Sequence, residues 1–258
     1  MIVDYWILND IHFPYECKVR YPLALKIMYA VSKAKKRMPA GIYLNGDIGE
    51  FGSFSHWPKH PGEHITAMAE VKYMNDRFDE IQKLFPDVPV ALIEGNHCHR
   101  FFRYIQNVAP ALWGLIDIPS MLKIGERPKW NFVGYGPDQL VKCGASSLYL
   151  RHEPYGKGVG HAKATAESSF VDIAYGHTHT YQTFTHKKIG PVPVYVKAYS
   201  LGWLGDKKRS VFDYRGPKDS WVEGITHVEC DTESGKYTLD FIDMRVLPVL
   251  YRGELYRG

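Results

Sequence analysis

The chain has little that would anchor, staple or segment it. No apolar run approaches the length of a membrane-spanning helix, so a helical membrane protein is excluded. The N-terminus has no basic stretch followed by an apolar core, so no export signal is expected. Cysteine is scarce. Cys17, Cys98, Cys143 and Cys230 form neither a C-x-x-C pair nor a dense framework, which points to reduced thiols and a cytoplasmic protein. There is no Gly/Ser linker and no break in composition, so one domain over 1–258 is expected, with 245–258 as a loose tail or edge extension. Charge of one sign is also scarce: 32 Lys and Arg against 28 Asp and Glu give +4. That balance permits an anionic substrate without demanding nucleic acid.

What the chain does have is apolar runs that end in polar clusters. Ile2 to Leu8 predicts a first strand, ending at Asn9-Asp10-Ile11-His12. Leu23, Ile27, Val31, Ala34 and Met38 then recur at helical spacing, with Lys33, Lys35, Lys36 and Arg37 as a solvated face. Ile42 to Leu44 predicts a strand ending at Gly46-Asp47, followed by a loop with Phe51, Phe54, His56 and Trp57. A helix is expected from about Glu63 to Phe85, burying Ile65, Met68, Val71, Met74, Phe78, Ile81 and Phe85. Val88 to Ile93 is the third strand, and it stops at Glu94-Gly95-Asn96-His97. Residues 101–123 are helical or irregular, interrupted by Pro110 and Pro119. Ser147 to Leu150 predicts a strand ending near His152, Ala162 to Ser169 a helix, and Val171 to Tyr175 a strand ending at Gly176-His177-Thr178-His179. A strand over Val192 to Ala198 and a hairpin of Ile225 to Cys230 with Lys236 to Ile242 complete an α/β pattern.

Asp10/His12, Asp47, Asn96/His97, His152 and His177/His179 all stand where a strand ends, so a parallel sheet would bring them to one edge. Imidazoles, two carboxylates and an amide oxygen without thiolate suit divalent ions such as Mn²⁺, Fe²⁺, Co²⁺ or Zn²⁺. Seven donors are too many for one tetrahedral ion and suit two ions about 3.5–4 Å apart. His97 can carry a proton near neutral pH, and Arg100 has the shape to hold phosphate.

In this order Asp10-x-His12, Gly46-Asp47, Gly95-Asn96-His97, His152 and Gly176-His177-x-His179 resemble the calcineurin-like metallophosphoesterase superfamily. The stretches around Asn96 and Asp47 look most like its compact phage and bacterial members. The resemblance implies a β-sandwich of two mixed sheets flanked by helices. It implies one metal on Asp10, His12 and His179, a second on Asn96, His152 and His177, and Asp47 bridging them, with Mn²⁺ the leading expectation among Mn, Fe, Co, Ni and Zn. His97 would protonate the leaving group while a metal-bridging hydroxide attacks phosphorus. Cys98 stands where many relatives carry an acid, and a small buried filler is expected there. His152 lies in Leu150-Arg151-His152-Glu153 rather than the frequent Gly-His setting. Glu50 takes the place of the metal-binding tyrosine of purple acid phosphatases, which argues against that subfamily.

Further candidates are His99 and His161 as substrate contacts and the glycines before His161 as a phosphate loop. Phe54 and Trp57 could stack a base, and Lys187-Lys188 and Lys207-Lys208-Arg209 are short basic clusters. The expected activity is phosphodiester or phosphomonoester hydrolysis on nucleotide or nucleic-acid-derived substrates. The alternatives are a protein or small-molecule phosphomonoesterase and a non-catalytic scaffold.

Overall fold

The alternating apolar and helix-periodic runs fold into an α/β arrangement of mixed sheets flanked by a few helices. The computed structural model describes residues 1–56, 62, 65–215 and 218–258. Along the chain run β1 (Ile2–Leu8), α1 (Arg20–Ala34), β2 (Gly41–Asn45), α2 (Ala67–Leu84), β3 (Val90–Ile93), α3 (His99–Val108), α4 (Ile118–Met121), β4 (Trp130–Val133) and β5 (Val141–Lys142). They continue as β6 (Leu148–Arg151), α5 (His161–Ser168), β7 (Asp172–Tyr175), β8 (Tyr181–Lys188), β9 (Val194–Leu201), β10 (Gly224–Asp231), β11 (Tyr237–Asp243), β12 (Val249–Tyr251) and β13 (Glu254–Tyr256).

The first sheet has the order β11-β10-β1-β2-β3-β4, with β1 to β4 parallel and β10 antiparallel to β1. The second has the order β5-β6-β7-β9-β8, with β6, β7 and β9 parallel. Strand alternation sends neighbouring residues of β1 to opposite faces. Trp6 and Leu8 join Met28, Met74 and Phe78 under α1 and α2, while Tyr5 and Ile7 pack with Leu148, Leu150 and Ala174 of the second sheet. Strands buried on both faces read as nearly continuous apolar runs, as β3 does and as β1 does apart from Asp4.

The structure corrects several expectations. α1 ends at Ala34, because Lys36 takes a left-handed φ of 52°. Met38 lies outside the helix and is exposed. The basic residues that follow are not all solvated: Lys35 and Arg37 both pair with the buried carboxylate of Asp4. α2 starts at Ala67, with Thr66 accepting the Ala69 N–H at 3.3 Å, and Met68 is exposed. The expected start at Glu63 and the side chain of Trp57 lie outside the described residues. β4, β5 and β8 form where the sequence pattern predicts no strand. β8 carries Thr, His and Lys because it lines the edge of its sheet, where polar side chains discourage further strand pairing. The C-terminal segment forms the β12–β13 hairpin, anchored by the buried Val249 and Tyr256. No helix among the described residues is long and apolar enough to cross a membrane.

Candidate metal centre

β1, β2 and β3 are parallel neighbours, so the turns after them share one edge of the first sheet. β6 and β7 do the same in the second sheet. Backbone hydrogen bonds join these turns: the Asp10 N–H donates to Gly46 O (3.2 Å), His12 N–H to Asp47 O (2.9 Å) and Gly176 N–H to His152 O (3.1 Å). All seven predicted metal ligands come together there, with His97 and Arg100 beside them.

One group is Asp10, His12 and His179. His179 Nε2 lies 3.3 Å from His12 Nε2 and 3.4 Å from Asp10 Oδ1. The other centres on Asn96 Oδ1, which is 2.9 Å from His152 Nε2 and 2.8 Å from His177 Nδ1. Asp47 stands between them, its Oδ1 accepting the His97 N–H at 2.8 Å and its Oδ2 3.1 Å from His152 Nε2. Asp10, His12, Asp47, His97, His152 and His179 are buried. Clusters of Asp10/His12/His179, His12/Asp47/His97 and Asp47/His152/His177 each place donor atoms close enough for one cation.

Three features suit these residues to divalent cations. Asp47 Oδ2 is buried and makes no well-aligned hydrogen bond, though the His152 Nε2 lies 3.1 Å away, which leaves a buried acceptor short of a donor. Glycines leave room for the ligands: a Cβ on Gly95 would overlap the Asp47 carboxylate, and one on Gly176 the Asp10 carboxylate. Finally, Asp10, His12, Asp47, His177 and His179 all have left-handed φ, between 45° and 65°. Each such residue costs about 1 kcal/mol or more. Five together rival a good fraction of the roughly 5–15 kcal/mol by which a domain is stable. Strain of that size at one point marks a site held in place by its surroundings.

The electrostatics follow from burial and crowding. Burial raises the pKa of Asp10. Burial opposes ionisation of Asp47 too, but His152, His97 and His12 outweigh it and hold the carboxyl well below its usual range. In return Asp47 overcomes the burial of His152 and pulls that imidazole up to about 9. For His97 burial wins over Glu50 and Asp47, and its pKa is lowered.

Glu50 is the residue that the motifs left unassigned. Its Oε2 accepts from both His12 Nδ1 and His97 Nδ1, each at 2.9 Å, so both rings turn Nε2 toward the centre. Burial disfavours its charge, but His97, His12 and Arg100 hold it ionised. Arg100 donates to Glu50 Oε1 (2.6 Å) and Glu50 O (2.8 Å), and its Nη2 is 3.0 Å from His97 Nε2. The arginine expected as a phosphate clamp is therefore also the cation that fixes Glu50. His179 stacks on Trp203 with centroids 4.6 Å apart and meets the edge of Trp221 at 4.4 Å. Neither tryptophan carries a local sequence signal.

The other candidates fall elsewhere. Cys98 is fully buried, and burial pushes its thiol pKa up, as suits a filler. The His161 ring meets Tyr175 OH at 2.6 Å and Thr180 Oγ1 at 3.1 Å, so it is buried structure rather than a substrate contact. Phe54 packs against Phe101 and Tyr104. His99 sits at the rim of the site, between Phe102 and Tyr135. Compared with known proteins, the chain matches no family model and no curated protein.

Proposed function

We propose that the chain is a dinuclear-metal phosphoester hydrolase, built on the ligand pattern of the calcineurin-like metallophosphoesterases. The supporting observation is the single carboxylate of Asp47 standing between two donor groups, with the His97 Nε2 3.9 Å from its Oδ2. Asp10, His12 and His179 would hold one divalent cation and Asn96, His152 and His177 the other. Bound there, two cations supply Lewis acidity, acidifying water and offsetting phosphoryl charge. The remaining work belongs to the chain. Glu50 fixes the ring of His97 with Nε2 facing the centre. An arriving phosphoryl anion favours the protonated imidazole, against the burial that disfavours it. His97 then passes that proton to the departing oxygen as its bond to phosphorus breaks. A phosphoryl oxygen that reaches His97 Nε2 also reaches Arg100 Nη2.

A scaffold that had lost catalysis would have no use for His97 held by a dedicated buried carboxylate. The test strips the protein of metal, reloads it with Mn²⁺, and compares an aryl phosphodiester with the matching monoester. Turnover restored by metal is expected. Diester preference directs attention to nucleotides and nucleic acids, and monoester preference to a phosphatase. Bound metal with no turnover of either would replace the proposal with a scaffold.

A further inference from the structure

Among the described residues, the Asn96 half of the centre is the open one. Over the Asp10 half, Phe212 meets the His12 ring at 5.2 Å, and Trp203 and Trp221 lie against His179, all of them buried. Asn96 and His177 stay half-exposed. The group carried by a bound phosphoryl therefore extends over the Asn96 half.

The border of that opening is acidic. Glu153 directly follows the ligand His152 and is half-exposed, and its Oε1 accepts the Tyr135 hydroxyl at 2.7 Å. Tyr135 follows β4 of the first sheet and Glu153 follows β6 of the second, so this bond joins the two sheets at the edge that carries the ligands. The buried Glu94 accepts the Tyr135 N–H at 2.8 Å and fixes the tyrosine from its backbone. Against the burial of His152, Asp47 and Asp10 raise its pKa and Glu153 adds to them, so the Glu153 charge is felt at the centre. Glu153 makes no ion pair among the described residues. Of the nearby cations, Arg100 is held by Glu50, and the exposed Arg103 donates to Asn96 O at 3.2 Å.

We infer that Glu153, held by Tyr135, is a charge filter at the open half of the centre, favouring monoanionic phosphodiesters over dianionic phosphomonoesters. The inference rests on the phosphoesterase reading, for which it names the substrate class. A monoester carries close to two negative charges above a second pKa of about 6, and a diester carries one. Coulomb repulsion scales with charge, so a fixed carboxylate weighs more heavily on the dianion. The cations attract both, and Glu153 tilts the ratio between them.

Glu153→Gln keeps an oxygen for the Tyr135 hydroxyl and removes the charge, so a merely structural role would leave that ratio unmoved. The Mn²⁺-loaded chain, with metal content matched between variants, is titrated calorimetrically with phenylphosphonate and with its monomethyl ester, at a pH where the first is a dianion and the second a monoanion. Phenylphosphonate should bind about three- to tenfold tighter to Glu153→Gln than to wild type, with the ester within about twofold. Added salt should shrink the difference. Arg103→Gln should move the ratio the other way. Equal shifts for both ligands in Glu153→Gln, or none, overturn the inference, as does a wild-type chain that binds neither. Turnover of an aryl phosphodiester is scored apart. Turnover with an unmoved ratio removes the filter and leaves the phosphoesterase, and a moved ratio without turnover does the reverse.

Discussion

Glu50 and His97 divide the work of the centre at the level of single side chains. His97 meets Asp47 through its backbone N–H, its Nδ1 is held by Glu50, and its Nε2 lies 3.0 Å from Arg100 Nη2 and 3.9 Å from Asp47 Oδ2. Removing the ring should therefore leave the donors to both cations intact. His97→Ala is expected to keep full metal content while turnover falls about 10²- to 10⁴-fold, most for a poor leaving group. Metal loss in step with activity would make His97 a ligand instead. Glu50→Gln should behave differently, because Glu50 orients a ligand, His12, as well as His97. An amide oxygen carries no charge to hold either ring. Metal affinity and turnover should both fall, each by about 10- to 100-fold, as read by metal titration and by kinetics on the saturated enzyme. The ligands were legible in the sequence because each follows an apolar run, and three of them, Asp47, Asn96 and His177, come directly after a glycine, a pattern that marks a strand end without coordinates. Glu50 was not. Its partners His12 and His97 lie 38 and 47 residues away, and nothing local distinguishes a buried orienting carboxylate from a solvated one.

At the level of elements, α2 holds the loop that carries Asp47 and Glu50. Glu70 on its first turn is fully buried and accepts the backbone N–H of Phe51. Burial and the nearby charge of Glu50 push its pKa up to about 8, from an unfolded value near 4.5. Between those two values the folded chain binds more protons than the unfolded one, so this group's contribution falls as pH rises through that window. The decline from pH 6 to pH 8 should be roughly 2 kcal/mol. Glu70→Gln keeps an acceptor for Phe51 and removes the titration. Its denaturation midpoint, compared with wild type at both pH values, should show a shallower loss. An unchanged slope would mean that Glu70 is already ionised in the fold. Element edges were read less well than element cores. Met68 and Met38 fit the helical period but lie exposed, because the period continues past the point where the helix still has a partner. β8 escaped because an edge strand does not need an apolar sequence.

Across the whole molecule, the first strand, the first helix and the C-terminal hairpin meet at Asp4. Its carboxylate takes His227 Nε2 at 3.0 Å, Arg37 Nη2 at 2.8 Å and Lys35. His227 in turn meets Tyr251 of the hairpin at 2.7 Å. Burial opposes the charge of Asp4, but His227, Lys35 and Arg37 hold its carboxyl well below the usual carboxylate range. Such a group stabilises the fold above its unfolded pKa and loses that contribution as pH falls toward the folded one. Asp4→Asn should cost about 3 kcal/mol at neutral pH and should blunt acid unfolding below pH 4. Equal stability at pH 7 in denaturant titrations would show that the pairs do not matter. The sequence assigned the basic run after α1 to solvent, and only the return of β10 beside β1 reveals the buried acid it serves.

The most direct test of a two-cation centre is metal stoichiometry, measured by elemental analysis after equilibrium dialysis against Mn²⁺. The account predicts two ions per chain in wild type and loss at both positions in Asp47→Asn, since one carboxylate serves both. One ion or fewer in wild type, or two retained by Asp47→Asn, would contradict it.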